Sequence, residues 1–216
     1  MIVKYFDLKK TLKNEINLYL LYGSNTGLIE ETINNTFKPN LSKNIFYYEE
    51  SEVLSNIDRF KEEIFNKSFF EHDKLILISR SSDKILELIE EIIEKKTADL
   101  KIIIKSGVLD KKSKLRGFFE KNKNAIAVPF YEDNYQSLMI IAQNFFKEKN
   151  IKISHQNINY IIERSKGNRI YLKNELKKID NFALEKKSIQ LDQILKLTNL
   201  AENYNISDLA DQCLAK

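Results

Sequence analysis

Leu18-Tyr19-Leu20-Leu21-Tyr22, running into Gly23-Ser24-Asn25-Thr26-Gly27-Leu28-Ile29-Glu30-Glu31, is the stretch that decides the fold of this 216-residue chain. The first five residues form an apolar and aromatic run bounded by glycine, which reads as a strand buried on both faces. The glycine-bounded turn after it opens a helix. Strand, glycine turn and helix in that order are the frame of a phosphate-binding P-loop. In a working loop the last glycine is followed by Lys, which reaches the β/γ-phosphates, and then by Ser or Thr, which holds Mg²⁺. With Gly27 as that last glycine, Leu28 and Ile29 occupy the two positions and Tyr22 replaces the first glycine. Glu30 and Glu31 then put negative charge into the expected first helical turn, where a phosphate would otherwise sit. The frame of a nucleotide site is present at Gly23, Gly27, Leu28 and Ile29, and its chemistry is missing. The blander alternative is that the two glycines only punctuate a strand–helix turn. Both readings lead to a chain that uses no cofactor and hydrolyses no nucleotide.

Outward from this turn, short apolar runs at 18–22, 44–48, 75–79, 100–105 and 125–129 alternate with helical patterns at 28–37, 52–65, 83–95 and 113–121. In the second pattern Ile57, Phe60 and Ile64 fall on one helical face. Leu75-Ile76-Leu77-Ile78 and Ile102-Ile103-Ile104 are apolar on both faces, as strands are when helices cover both sides of a parallel sheet. Residues 1–132 therefore read as an α/β domain of the P-loop NTPase type with a mainly parallel sheet. From about residue 133 the strand signals stop. Leu138, Ile141, Ala142 and Phe145 make one helical stripe over 134–149. Ser154 is a helix N-cap before Ile158, Ile161 and Ile162, and Gly167 is a C′ stop. A third helix from Arg169 stacks Leu172, Leu176, Ile179 and Ala183, and 191–197 is a shorter fourth. An α/β domain followed by a small helical lid at 133–205 is the AAA+ order of domains. Residues 206–216 read as a linker or the start of a further element.

Composition narrows the function classes. Hydrophobic residues make up 43% and charged residues 31%, with only 5 Gly and 2 Pro, which suits a helix-rich globular protein. The net charge of +4 permits nucleic-acid contact without demanding it. One cysteine, Cys213, excludes an internal disulfide, and His72 and His155 alone make no zinc site. No Ser/His/Asp or Cys/His set is apparent. Met1-Ile2-Val3-Lys4-Tyr5-Phe6-Asp7 lacks the apolar core of a secretory signal, and no apolar run approaches the ~18 residues of a membrane span. The expectation is a cytoplasmic protein with no membrane partner.

Two further segments stand out. Phe69-Phe70 is bracketed by Asn66-Lys67-Ser68 and Glu71-His72-Asp73-Lys74, ahead of the strand at Leu75. The pair is either core or a projecting apolar tip. Residues 105–123 carry seven basic and two acidic residues, a local balance of +5 against +4 for the whole chain. Lys111, Lys112, Lys114 and Arg116 form its densest part, fit for phosphate contact or for a solvated or subunit-facing helix. Phe118 and Phe119 within it fit a helix packed on the sheet.

Several of these stretches resemble one family. Tyr19-Leu20-Leu21-Tyr22-Gly23-Ser24-Asn25, Ser68-Phe69-Phe70, Gly107-Val108-Leu109-Asp110-Lys111-Lys112-Ser113-Lys114-Leu115-Arg116 and Gly167-Asn168 with Asn174-Glu175-Leu176-Lys177-Lys178-Ile179 are similar to the delta subunit of the bacterial DNA polymerase III clamp loader. The block from Leu109 to Arg116 is the most specific. The resemblance runs along the whole chain but reaches only the family's first two domains, and the third, a helical collar that docks into the loader ring, would begin where this chain ends. It implies a subunit that binds and opens the beta sliding clamp during DNA replication, with Phe69 and Phe70 as the wedge in a clamp pocket. It further implies partners of the gamma/tau and delta-prime type, DNA held within the complex, and no catalysis outside the polymerase holoenzyme. Where AAA+ lids place a sensor arginine, the same alignment puts Ile170. Arg169 is one residue away, a turn of about 100° on a helix. No Ser-Arg-Cys finger motif occurs. Two rival functions remain: an active NTPase using an unusual loop, and a general nucleic-acid-binding protein using residues 105–123.

Overall fold

The computed structural model describes residues 1–12, 16–41, 44–65, 74–95, 100–183 and 188–197. The chain divides into two compact units, Met1–Glu132 and Asp133–Lys216. In the first, a 3-10 turn (Tyr5–Asp7) leads into α1 (Leu8–Thr11), then β1 (Leu18–Gly23) and α2 (Thr26–Thr32). That helix widens into a π-turn (Ile33–Phe37) and continues as α3 (Lys38–Leu41). The N–H of Lys38 bonds the carbonyl of Ile33, five residues back, just before Pro39, which has no N–H to give. β2 (Asn44–Glu49), α4 (Glu50–Ser55), α5 (Ile57–Phe65) and β3 (Lys74–Ser79) follow. A 3-10 turn (Asp83–Ile85), α6 (Leu86–Glu94), β4 (Leu100–Ser106), α7 (Lys114–Lys121) and β5 (Ala125–Phe130) come next.

The five strands form one parallel sheet in the order β2-β3-β4-β1-β5. The strands are apolar on both faces because both faces are covered. On one face Leu18, Leu20, Ile76, Ile78, Ile102 and Ile104 pack against Phe60, Ile64, Leu88, Ile92, Leu115 and Phe119 from α5, α6 and α7. On the other, Tyr19, Leu21, Leu77, Ile103 and Val128 pack against Leu8, Leu28, Ile29, Ile33 and Phe37. The sheet places the ends of β1, β4 and β5 side by side, and the loops that follow them share one edge.

Three boundaries correct the sequence reading. The helix expected over 52–65 is two helices, and Asn56 (φ −148°, ψ 73°) breaks it. The Asn56 side chain then accepts from the N–H of Arg59 at 3.1 Å, so one residue ends α4 and caps α5. The N-terminal segment, for which the sequence carries no periodic signal, extends the sheet beyond its edge strand. The N–H of Val3 donates to the carbonyl of Ala127 (3.0 Å), and the N–H of Ala127 donates to that of Met1 (2.9 Å). Third, Gly167 is not the C′ residue of its helix, as described next.

The second unit contains α8 (Tyr135–Glu148), α9 (His155–Arg164), α10 (Arg169–Phe182) and α11 (Leu191–Leu197). Asn134, Ser154 and Asn168 cap the first three through side-chain oxygens that accept from backbone N–H groups. Leu138, Ala142, Ile158, Ile161, Leu172, Leu176 and Ile194 meet in its core. α9 ends at Arg164 with Ser165 as C-cap, and both Lys166 (φ 49°) and Gly167 (φ 73°) take the left-handed conformation. The stop thus precedes Gly167 by two residues. Among the described residues no helix is long and apolar enough to cross a membrane.

Candidate functional site

The candidate site lies at the carboxyl ends of β1 and its neighbours, where nucleotides bind in open parallel sheets. Gly23 closes β1 with φ +138°, and a Cβ there would stand 2.0 Å from the carbonyl oxygen of Phe130. Close approach to β5, together with the left-handed backbone, demands glycine. Two residues later Asn25 is buried. Its Oδ1 accepts from the N–H of Leu28 at 3.0 Å, and its Nδ2 donates to the carbonyl of Tyr131, also at 3.0 Å. The first turn of α2 is thus capped from within the protein, in the space a phosphate would need. Gly27 sits inside that first turn. Leu28 is 7% exposed and Ile29 1%, both in the core.

Because β1 ends at Gly23, that residue can also be counted as the first glycine of the motif. Leu28, Ile29 and Glu30 then fall where glycine, lysine and the hydroxyl belong. Neither register supplies a lysine or a hydroxyl. Glu30 and Glu31 do not lie in the first helical turn as expected, because the Asn25 cap starts α2 at Thr26 and that turn holds no acidic residue. Glu30 instead pairs with Lys105 of β4. The magnesium-holding aspartate of P-loop hydrolases has no counterpart at the end of β3, where Ser79 and Arg80 stand. Arg80 adopts φ 58° and pairs with Glu49 at 3.0 Å. Ser79-Arg80 stands in the sequence directly after Leu75-Ile76-Leu77-Ile78, where the aspartate would be expected.

Tyr22 and Arg116 form a fixed cluster. The guanidinium of Arg116 stacks 5.2 Å from the centre of the Tyr22 ring, bonds Glu120 at 2.7 Å and donates to the carbonyl of Leu109 at 3.0 Å. Tyr22 donates to the same carboxylate at 3.3 Å, and burial pushes its phenol up to about 12. Arg116 therefore faces inward, unlike Lys111, Lys112 and Lys114, which are exposed. Phe119 is fully buried and Phe118 packs against the same core.

The N-terminus of α7 is also occupied. Asp83 accepts from the hydroxyl of Ser113 (2.6 Å) and from the N–H groups of Leu115 (3.0 Å) and Lys114 (3.1 Å). The hydroxyl and these N–H groups hold its carboxyl below the usual carboxylate range.

Phe69 and Phe70 lie outside the described residues. The chain on either side is held in place: the Lys95 ammonium sits 4.3 Å from the centre of the Phe65 ring, and Lys74 Nζ donates to the carbonyl of Glu63 at 3.1 Å. Lys61 of α5 pairs with Glu91 of α6. In the helical unit, Arg169 makes a two-pronged pair with Asp133, Nε to Oδ2 at 2.7 Å, with both side chains buried. It holds the starts of α8 and α10 together.

Comparison with known proteins adds the family. A probable DNA polymerase III subunit delta of Rickettsia prowazekii is 23% identical over 197 residues, 91% of this chain and 60% of that protein. The corresponding Aquifex aeolicus protein is 32% identical over 72 residues, 33% of this chain and 21% of its own length. The Bacillus subtilis DNA clamp loader delta protein superposes with a TM-score of 0.57 at 19% identity, covering 89% of this chain and 62% of that one. The Thermotoga maritima RuvB Holliday junction branch migration motor shares the fold as well, with a TM-score of 0.60 at 16% identity over 90% of this chain and 68% of its own. The chain thus spans less than two thirds of the delta proteins it matches. The sequence pattern of the DNA polymerase III delta subunit family covers residues 19–131, more than half of the chain, and the chain belongs to that family.

Proposed function

We propose that this chain binds and opens a ring-shaped sliding clamp of the beta type and leaves ATP hydrolysis to other subunits of the loader. The observation that carries this reading is the end of β1. A family member whose lysine and hydroxyl positions are core leucine and isoleucine, and whose helix N-terminus is filled by Asn25, has no place for the γ-phosphate. What remains is work by binding. A closed ring opens if a partner prefers the open geometry, and moving it from 1% to 99% open takes about a 10⁴-fold preference, about 5.5 kcal/mol. Two phenylalanine side chains buried in a clamp pocket contribute about 1.5–3 kcal/mol each to binding, and the part of this gained only with the open ring is what shifts the equilibrium. Phe69 and Phe70 are the residues we assign to that role, on the family's pattern and on the anchored stem formed by Phe65, Lys74 and Lys95.

In this reading the helical unit is the lid of an AAA+-like module, with residues 206–216 leading toward a collar. Gamma/tau and delta-prime type subunits are its partners in the cytoplasm, and their bound ATP governs access to the tip. Calorimetric titration with Mg-ATP should show no binding in the micromolar range, while immobilised chain retains clamp with no nucleotide added. Stoichiometric ATP turnover that disappears on Gly27→Val, together with clamp retention only when ATP is present, would overturn the proposal.

A further inference from the structure

We propose that the C-terminal end of α7 is a seat for a free α-ammonium group, that of Met1, and that acylation of this nitrogen empties it. The Met1 ammonium donates to the carbonyls of Phe119 (2.9 Å), Asn122 (3.0 Å) and Ala125 (2.8 Å). Phe119 lies in the last turn of α7, Asn122 is its C-cap and Ala125 opens β5. The last carbonyls of a helix have no partner within it, and that end of the helix dipole favours a cation. The N–H of Asn122 takes the carbonyl of Phe118, and the ammonium takes the next one along. An ammonium group has three N–H bonds to give, and here each has its own acceptor. It thereby ties α7 to β5 across the turn at 122–124, from 118 to 124 residues away along the chain.

The nitrogen is also positioned from its other side. The carbonyl of Met1 accepts from the N–H of Ala127 (2.9 Å), and the N–H of Val3 donates to the carbonyl of Ala127 (3.0 Å), so pairing with β5 sets where the nitrogen stands. Burial lowers the pKa of the ammonium, while the Glu120 carboxylate, itself bonded to Arg116, works the other way. The three carbonyls replace the water that the group gives up. An acyl group would remove the charge and two of the three N–H bonds. A chain started at Met1 by a bacterial ribosome carries a formyl group on this nitrogen. Filling the seat therefore requires hydrolysis of that formamide first. Water adds to the formyl carbon, the C–N bond breaks with its electron pair going to nitrogen, and formate leaves while both protons of the water end on the amine as ammonium.

The test compares three full chains made by cell-free translation and identified by intact mass: one with deformylase active, one with it blocked, and one with a glycine added ahead of Met1. Thermal melts and amide hydrogen exchange are read on each. The free chain should melt highest, with the formylated and glycine-extended chains at least about 4 °C lower. In those two chains the amides of Val3 and Ala127 should exchange roughly tenfold faster or more, while Leu172 in the helical unit keeps its protection. A formylated chain that does not fold where the free chain does agrees with the proposal. A formylated chain with the melt and the Val3 and Ala127 exchange of the free chain would overturn it, and so would a glycine-extended chain that behaves as the free one. No clamp or nucleotide enters this measurement, so its failure leaves the clamp proposal untouched.

Discussion

The turns at 23–25 and 107–113 leave neighbouring strands of one sheet, and each opens a helix, yet they present opposite chemistry to solvent. At the first, Asn25 turns inward to cap α2, and the next helical residues, Leu28 and Ile29, go into the core. At the second, Ser113 caps α7 by accepting from the N–H of Arg116 at 3.2 Å, a carboxylate from a different element, Asp83, takes the N–H groups of Lys114 and Leu115, and Lys111, Lys112 and Lys114 stay outside. The N-terminus of a helix attracts an anion only while its first N–H groups are unsatisfied. At α2 the N–H of Leu28 goes to the Asn25 side chain and that of Thr26 to the carbonyl of Ser24, and at α7 the N–H groups of Lys114, Leu115 and Arg116 go to Asp83 and Ser113. Strand–turn–helix geometry alone does not make a phosphate site: each helix is capped by its own N-cap side chain, and α7 holds a carboxylate of the protein, Asp83, where an anion would sit.

The largest effect is expected at Gly23. Gly23→Ala forces a Cβ onto the Phe130 carbonyl and an L-residue into φ +138°, and should cost about 3 kcal/mol or more of stability in urea unfolding. An unchanged midpoint would mean that the β1–β5 contact is not what holds this glycine. Next in size is Asn25→Ala. It removes the α2 cap and the tie to Tyr131, for an expected loss of about 1–2 kcal/mol. Mg-ATP should still not bind this variant, since emptying the cap position restores neither lysine nor hydroxyl, and calorimetry reads that outcome directly.

The smallest effect is expected on the other turn. The Asp83 pKa is lowered in the folded protein by the Ser113 hydroxyl, then by the N–H of Leu115. Its stabilisation is therefore full above the unfolded value, near 3.8, and is lost as pH falls through the lower folded value. Asp83→Asn should be slightly less stable than wild type at neutral pH, by about 0.5 kcal/mol or less, since solvent screens an exposed carboxylate. The gap should close in acid below the folded pKa. A gap that persists at low pH would show that Asp83 acts by something other than its charge.

The sheet was largely legible. Apolar runs on both faces announce parallel strands, and each strand reads to within a residue at either end. The helix break at Asn56 was not, because Ile57, Phe60 and Ile64 keep helical spacing on one side of it while the polar residues before it carry no phase. The N-terminal extension of the sheet was hidden for a different reason: its pairing partner, Ala127, is more than a hundred residues away. At the site, the missing lysine and hydroxyl could be read directly, as could the buried Phe119. The direction of Arg116 could not. Glu120 stands four residues on along the same helix, but Tyr22 lies on β1, and only the packing of α7 on that strand brings it under the guanidinium. Arg169 is similar, because its burial depends on Asp133 at the start of another helix.

Phe69 and Phe70, proposed as the clamp contact, are probed by titrating clamp against Phe69→Ala/Phe70→Ala while following thermal melts of the same variant. An unchanged melt is expected, with a loss of about 2 kcal/mol or more of clamp affinity per ring, at least about 30-fold for each. A variant that melts far earlier, with the loss of roughly 3–5 kcal/mol per ring expected of core phenylalanines, would contradict it. So would a variant that folds normally and binds clamp as the wild type does.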